Sequence, residues 1–276
     1  MNAPPAGAPW DLPIEVAPLS FVDLEMTGLD PSQDRIVEVC VERFVGPRCV
    51  GAVRGLVNPE GRVDRATHVH GIGSSELAAA PRFTSLASDV IGLIEGAVFV
   101  AHAAVWDVRF LSAECARAGL PLHLDHWLDT LVLARRAFAF RSHSLEALCR
   151  ELRIERGRAH RAESDVKALR ELFARCVAVL RPVSARDLWE VRVGDRQARH
   201  AIVEACEAAV KHGAPVVLTY RPAGRSPEPL PMVLLGVRAD LDPPLVVGYQ
   251  LPGRGRRQLR ADRILRVDPA PASATQ

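Results

Sequence analysis

The chain is short of lysine, of tyrosine and of long apolar runs, and each shortage narrows the field. Of its 35 basic residues only Lys167 and Lys211 are lysines. Arginine grips phosphate bidentately, but so global a preference reflects codon bias rather than a partner. Acidic residues nearly cancel the basic ones, leaving a net charge of +2, so charge alone does not call for nucleic acid. The six cysteines (Cys40, Cys49, Cys115, Cys149, Cys176 and Cys206) are scattered with no C-x-x-C pair. Most lie in apolar runs, as reduced, buried thiols do in a cytoplasmic protein. Met1 to Leu12 has neither a basic n-region nor an apolar h-region, and no run of apolar residues is long enough to span a bilayer. The expectation is a soluble cytoplasmic protein with no membrane partner.

What is present supports a sizeable core. Of 276 residues, 48% are hydrophobic and 25% charged, which fits one ordinary domain plus a smaller one. Three strand-like runs open the chain after a loose start: Leu19 to Glu25, Arg35 to Phe44 and Cys49 to Val57. The turns between them carry Gly28-Leu29-Asp30-Pro31 and Gly46-Pro47, which predicts an antiparallel meander. Alternating elements follow: a helix over Phe83 to Ile94, a buried strand over Val98 to Ala101, and helices over Trp106 to Ala118, Thr130 to Ala137, Ser144 to Leu152 and Ala162 to Leu180. Strands first, then strand and helix in alternation, predict an α/β sheet of mixed direction flanked by helices.

Pro182 ends that pattern. Beyond it the expectation is one helix over Ala198 to His212, closed by Gly213. Short strands follow over Pro215 to Tyr220, Met232 to Val237, Leu245 to Gln250 and Arg257 to Arg260, separated by Pro and Gly clusters, as in a small β-barrel. The expected partition is a flexible lead (1–14), a main domain (15–182), a small barrel domain (183–270) and a flexible tail (271–276).

The chemistry concentrates in Phe21-Val22-Asp23-Leu24-Glu25-Met26-Thr27-Gly28. Alternate strand residues share a face, so Asp23 and Glu25 project together. Two neighbouring acids on one face repel, and a divalent cation compensates them. Asp107 falls in the first turn of a helix, where the macrodipole tolerates negative charge; a first-turn acid that merely stabilises its helix is the plainer alternative. Asp165 occupies a similar place, with His160 five residues earlier and Ala162 between them.

Taken together, these three segments resemble the DEDDh exonuclease superfamily, the ribonuclease H-like group that includes the proofreading epsilon subunit of bacterial DNA polymerase III. Asp23 and Glu25 with Thr27-Gly28 match its first motif, His102 and Asp107 its second, His160 and Asp165 its third. His70-Gly71-Ile72, Asp129-Thr130 and His143-Ser144-Leu145 match the connecting segments, and the likeness spans Leu19 to Leu180. It implies two Mg²⁺ ions, replaceable by Mn²⁺, held by Asp23, Glu25, Asp107 and Asp165, with Asp23 bridging. It also implies His160 as the general base, and stepwise 3′→5′ release of nucleoside 5′-monophosphates. Met26, Thr27, Gly28, Leu29, His70 and Ile72 are candidate contacts to the terminal nucleotide, with ordinary turn and core packing as the alternative. His102, His143 and His68 are left as structural. One departure stands out: Ala103 follows the motif-two His, where the family usually has Asn.

Ala198 to Asp268 resembles a degenerate WYL domain, an SH3/Sm-like barrel. Arg257-Gln258-Leu259-Arg260-Ala261-Asp262-Arg263-Ile264 resembles its R-x-F-R-L-D-R-I ending, while Pro244, Leu245 and Val246 replace the naming tripeptide. Six arginines between Arg254 and Arg266 face the single acid Asp262, and with Tyr220 and Tyr249 they suggest a groove for single-stranded DNA gripped by Arg257 and Arg260. A solvated basic face is the alternative. The expected activity is DNA 3′-end trimming in repair or proofreading. The alternatives are an RNA substrate, or a nucleic-acid-binding or ligand-sensing regulator with an inactive nuclease fold. No Q-x-x-L-x-F clamp-binding segment is evident, so no protein partner is named.

Overall fold

The computed structural model describes residues 3–62, 65–120, 122–222, 227–241, 243–253 and 255–270, with the side chains of 192–199 excepted. Pro121, Arg254 and the expected tail 271–276 lie outside the described residues. The chain divides into two compact units, residues 1–192 and 193–276.

In the first unit β1 (Pro18–Met26), β2 (Ile36–Val45) and β3 (Arg48–Leu56) form the expected meander, both pairs antiparallel. Two short helices, α1 (Thr67–His70) and α2 (Ser74–Ala79), precede α3 (Ala87–Ile94). β4 (Val98–Ala101) returns parallel to β1, and α4 (Val105–Arg117) leads to β5 (Trp127–Asp129), parallel to β4. The sheet order is β3-β2-β1-β4-β5. α5 (Thr130–Ala137), α6 (Leu145–Leu152) and α7 (Ala162–Leu180) follow.

Alternation along β1 divides its side chains between two layers. Val22 and Leu24 join Phe83, Val90, Phe110 and Leu111 in one apolar cluster. Phe21, on the opposite face, meets Phe173 of α7 edge-on at 5.5 Å and Phe44 at 6.1 Å. Asp23 and Glu25 continue the Phe21 row toward the strand's carboxyl end. That end lies beside the carboxyl end of β4, where the connections leave in opposite directions across the sheet. Crevices of this kind are where open α/β sheets bind ligands.

Two expectations change. The first residues are packed rather than loose: Trp10 and Ile14 are buried, Trp10 stands edge-on to Trp189 at 5.8 Å, and the Ile14 amide donates to the Val183 carbonyl. The helix after Pro182 begins thirteen residues earlier than expected, as α8 (Ala185–His212). Leu188 and Trp189 are buried in the first unit and hold that early start in place.

The second unit is an antiparallel sheet of β6 (Val216–Tyr220), β7 (Glu228–Arg238), β8 (Leu245–Gln250), β9 (Gly255–Arg260) and β10 (Ile264–Pro269), ordered β10-β6-β7-β8-β9. Cys206 of α8 packs among Leu218, Met232, Leu234 and Val246, and Gly213 closes the helix at φ 63°. β7 begins before its prolines: Pro229 and Pro231 pair only with β6, so their missing N–H groups face no partner strand. Among the described residues no pairing joins β9 to β10, so the observed element is an antiparallel sheet rather than an established barrel. No helix among the described residues is long and apolar enough to cross a membrane.

Candidate active site

Four carboxylates approach one another at the carboxyl ends of β1 and β4. Asp23 and Glu25 come from β1. Asp107 comes from the first turn of α4, Asp165 from the first turn of α7. Glu25, Asp107 and Asp165 are buried, and Asp23 is partly so. Burial first, then the charges of Asp107, Asp165 and Glu25, push the Asp23 carboxyl well above its ordinary range. Glu25 is pushed up to about 8 by burial, Asp165 and Glu38. Asp107 is also raised, chiefly by burial, although its own backbone amide and that of Leu24 oppose the shift. Among the described residues none of these three forms an ion pair with an arginine or lysine. Buried oxygens so crowded are what a hard divalent cation compensates, so the donor set fits a divalent metal ion.

Asp165 differs. Its two oxygens accept from Arg156 Nε and Nη2, both at 2.7 Å, and Oδ2 also accepts from the His160 amide at 3.2 Å. His160 itself is exposed and sits at φ 57°. One ligand atom each from Glu25, His160 and Asp165 falls within 4.8 Å of the others. The imidazole therefore stands at the rim of the acid cluster.

Turns around the cluster are tied down by polar contacts. Asp129 Oδ1 accepts from the amides of Ala103 and Leu131, joining the end of β5 to the turn that launches α4. His102 Nε2 lies 3.0 Å from the His143 carbonyl and Nδ1 lies 3.0 Å from the Thr130 hydroxyl. Donation from Nε2 fixes the neutral tautomer, and burial pushes this imidazole down to about 4.

The candidate nucleotide contacts separate into two groups. Leu29 is 70% exposed and Met26 is partly buried against the core. Thr27 is buried, its hydroxyl spent on Asp34 Oδ1 and the Arg35 amide. Gly28 runs so close to Asp34 that a Cβ there would stand 2.4 Å from Oδ2. His70 and Ile72 are buried, and His70 Nδ1 accepts from the Ile72 amide. Thr27, His70 and Ile72 thus brace the turns and offer little surface to a base, while Leu29 and Met26 remain available. In the second unit Arg257 Nε donates to Gln250, and Arg260 forks onto Asp262.

Sequence reasoning did not single out Arg156, nor the Glu38–Arg161 pair beside Glu25. Neither lies on a periodic pattern. Asp129 carried a signal, since an acid just before a helix is an N-cap.

Known proteins with similar sequences and folds share this domain. The RNase_T exonuclease family matches residues 20–173. The epsilon subunit of DNA polymerase III from Rickettsia prowazekii is 33% identical over 162 residues, covering 55% of this chain and 71% of the relative. The PolC-type DNA polymerase III of Thermotoga petrophila is 28% identical over 184 residues, 66% of this chain but 13% of that protein. This chain therefore spans a small part of some curated relatives. Among solved structures, a product-bound exonuclease I aligns with a TM-score of 0.54 at 16% identity, covering 92% of this chain and 65% of that one. A zinc-bound complex of E. coli exonuclease I with single-stranded DNA gives 0.54 at 19%, covering 85% and 54%. At these identities the structural likeness speaks for the fold. The family match extends over more than half of the chain and takes in all four acids and His160: this chain belongs to the RNase_T exonuclease family.

Proposed function

We propose that the chain is a metal-dependent 3′→5′ exonuclease that releases nucleoside 5′-monophosphates from DNA 3′ ends, single-stranded DNA foremost. The observation that carries this reading is the convergence, on Asp165 and His160, of three acids that have no basic ion-pair partner among the described residues. Asp23, Glu25, Asp107 and Asp165 would hold two Mg²⁺ ions. Such ions, when bound, acidify a water molecule and stabilise charge on the departing 3′ oxygen. His160, exposed at the cluster's rim, would take the proton from the attacking water, a task suited to an imidazole near neutral pH. Leu29 and Met26 would bear on the terminal base. The relatives named above include DNA polymerase subunits, which supports DNA as substrate, with repair or proofreading as the proposed setting. The C-terminal unit would act as a WYL-like module of SH3/Sm type, with Arg257 on the strand backbone and Arg260 released from Asp262 to join it. We take the boundary between the two modules to fall near Arg192, ten residues after the expected Pro182, and place the protein in the cytoplasm.

Digestion of end-labelled single-stranded DNA and RNA with Mg²⁺ tests the proposal. Mononucleotides should appear from the 3′ end of DNA, and EDTA should stop their release. His160→Ala should lose at least about 10²-fold in rate, the scale of a lost general base, while Mn²⁺ binding measured calorimetrically persists. Turnover close to wild type in that variant would remove His160 from the chemistry. Release from RNA alone would reassign the substrate.

A further inference from the structure

Arg156 sits where a cation is wanted. Its side chain is 11% exposed, and the Asp165 side chain it grips is 5% exposed. The fork covers both carboxylate oxygens at 2.7 Å, and the His160 amide takes a further lone pair. A carboxylate offers about four lone-pair sites, so Asp165 is nearly saturated. The guanidinium charge also acts on Asp23 and Glu25, favouring their ionised forms against burial and mutual repulsion. No other arginine or lysine acts on Asp23 among its main influences.

Given the metal site proposed above, on which this inference rests, we propose that Arg156 is the displaceable counter-ion of the metal-free site. The guanidinium occupies Asp165 until a divalent cation competes it away, and so sets how much metal the site needs. The geometry favours competition, since three of the roughly four lone-pair sites of Asp165 are already taken. A Mg²⁺–oxygen bond is about 2.0–2.1 Å long and needs a lone pair aimed at the ion. A cation shared by Glu25 and Asp165, whose ligand atoms lie within 4.8 Å of each other, would also stand close to the guanidinium, and like charges that close repel strongly in a low-dielectric site. The Arg156 fork and the ion are therefore alternatives at Asp165.

The chain around Arg156 is suited to exchange. It lies in the connection between α6 and α7, next to Gly157 and four residues before His160. Arg153 at the start of the connection and His160 near its end both adopt left-handed backbone, at φ 54° and 57°. Arg156 and His160 hold the same carboxylate from the same connection, one by side chain and one by backbone amide. Displacing the fork frees the segment that carries the candidate base, so metal arrival and placement of His160 are linked events.

Mn²⁺ titration of the full chain, read by calorimetry and by the rise in melting temperature, tests this. Arg156→Gln removes the charge and the fork. It should melt lower without metal, bind Mn²⁺ about tenfold or more tightly, and gain more in melting temperature on saturation. Arg156→Lys keeps one charge without spanning both oxygens and should fall between, so it decides the matter if the Gln variant does not fold. Affinity unchanged or weakened in these variants would overturn the proposal and make Arg156 a fixed support of Asp165. Absence of Mn²⁺ binding in wild type and variants alike would remove the metal site itself, a different failure from equal binding in all.

Discussion

Acids buried or partly buried in the first unit come in two kinds, and the difference sets three of the four candidate metal ligands apart, Asp165 with its Arg156 fork being the exception. Glu114 is gripped by Arg35 at 2.6 and 2.9 Å and by Arg117 at 3.2 Å. Glu42 lies between Arg54 and Arg170, Glu38 is held by Arg161 and the Ala162 amide, and Asp34 by Arg65. Each brings its own counter-charge, as structural ion pairs must when water is excluded. Asp23, Glu25 and Asp107, a few residues away in the same sheet and helix, form no ion pair with an arginine or lysine among the described residues, although Arg156 acts on the first two at longer range. Sequence composition treats all seven alike. Under the function proposed above, what separates them is that the protein satisfies one set internally and leaves the other for a metal ion.

The sharpest test of that division replaces one acid from each set. Glu114→Gln should destabilise the fold by about 3 kcal/mol, because Arg35 loses its bidentate partner in a buried setting, while activity per folded molecule stays near wild type. Asp23→Asn should do the reverse, abolishing nuclease activity yet stabilising the metal-free protein by about 1–2 kcal/mol, as relief of a strained functional site does. Urea melts with EDTA present measure both. A loss of stability in Asp23→Asn comparable to that in Glu114→Gln would erase the distinction, because Asp23 would then be a structural acid like the rest.

A smaller effect concerns the histidine that braces the site rather than serving it. His102 is held neutral in the folded state, titrating at about 4 because burial opposes its charge, with Arg135, His143 and Arg156 adding to the penalty. An unfolded chain binds that proton near pH 6.5. Between those values the unfolded state carries the extra proton, so stability rises with pH. The contribution is complete above about pH 6.5 and is lost as pH falls through about 4. Its size is on the order of 2–3 kcal/mol. Denaturant melts from pH 7 to 4 should show the loss in wild type and a flatter profile in His102→Gln. Identical profiles would mean that other groups govern the acid limb.

Much of this organisation was legible in the sequence, and what was not has physical reasons. β4, α5, α7 and β8 begin and end where periodicity and their Gly, Pro and cap residues place them. β5 is only three residues long, too short for any period to register, although Leu128 is fully buried. The early start of α8 did carry a signal that helix periodicity alone overlooks. Ser184-Ala185-Arg186-Asp187 is a box-like start, and Asp187 accepts from the amides of Val183 and Ser184. The carboxylates were legible because motif spacing exposes them. Their partners were not, because an ion pair such as Arg156 with Asp165 depends on how a loop folds back, which no local pattern encodes.

The smallest expected effect lies at Ala103, where this chain departs from the family's usual Asn. The residue adopts φ 58°, a left-handed conformation that costs alanine about 1–2 kcal/mol. The turn is nonetheless kept, since the Ala103 amide donates to Asp129 Oδ1 at 3.0 Å and its carbonyl accepts from the Trp106 amide at 3.2 Å. Asparagine visits this region far more readily because its short side chain bonds locally. Ala103→Asn should therefore stabilise the fold by about 0.5–1 kcal/mol, visible as a small rise in the denaturation midpoint, with Mn²⁺ affinity unchanged because no candidate ligand moves. Should the variant instead bind metal more tightly at equal stability, the turn after β4 would belong with the unsatisfied acids it supports, and the boundary between scaffold and site would shift outward by one residue shell.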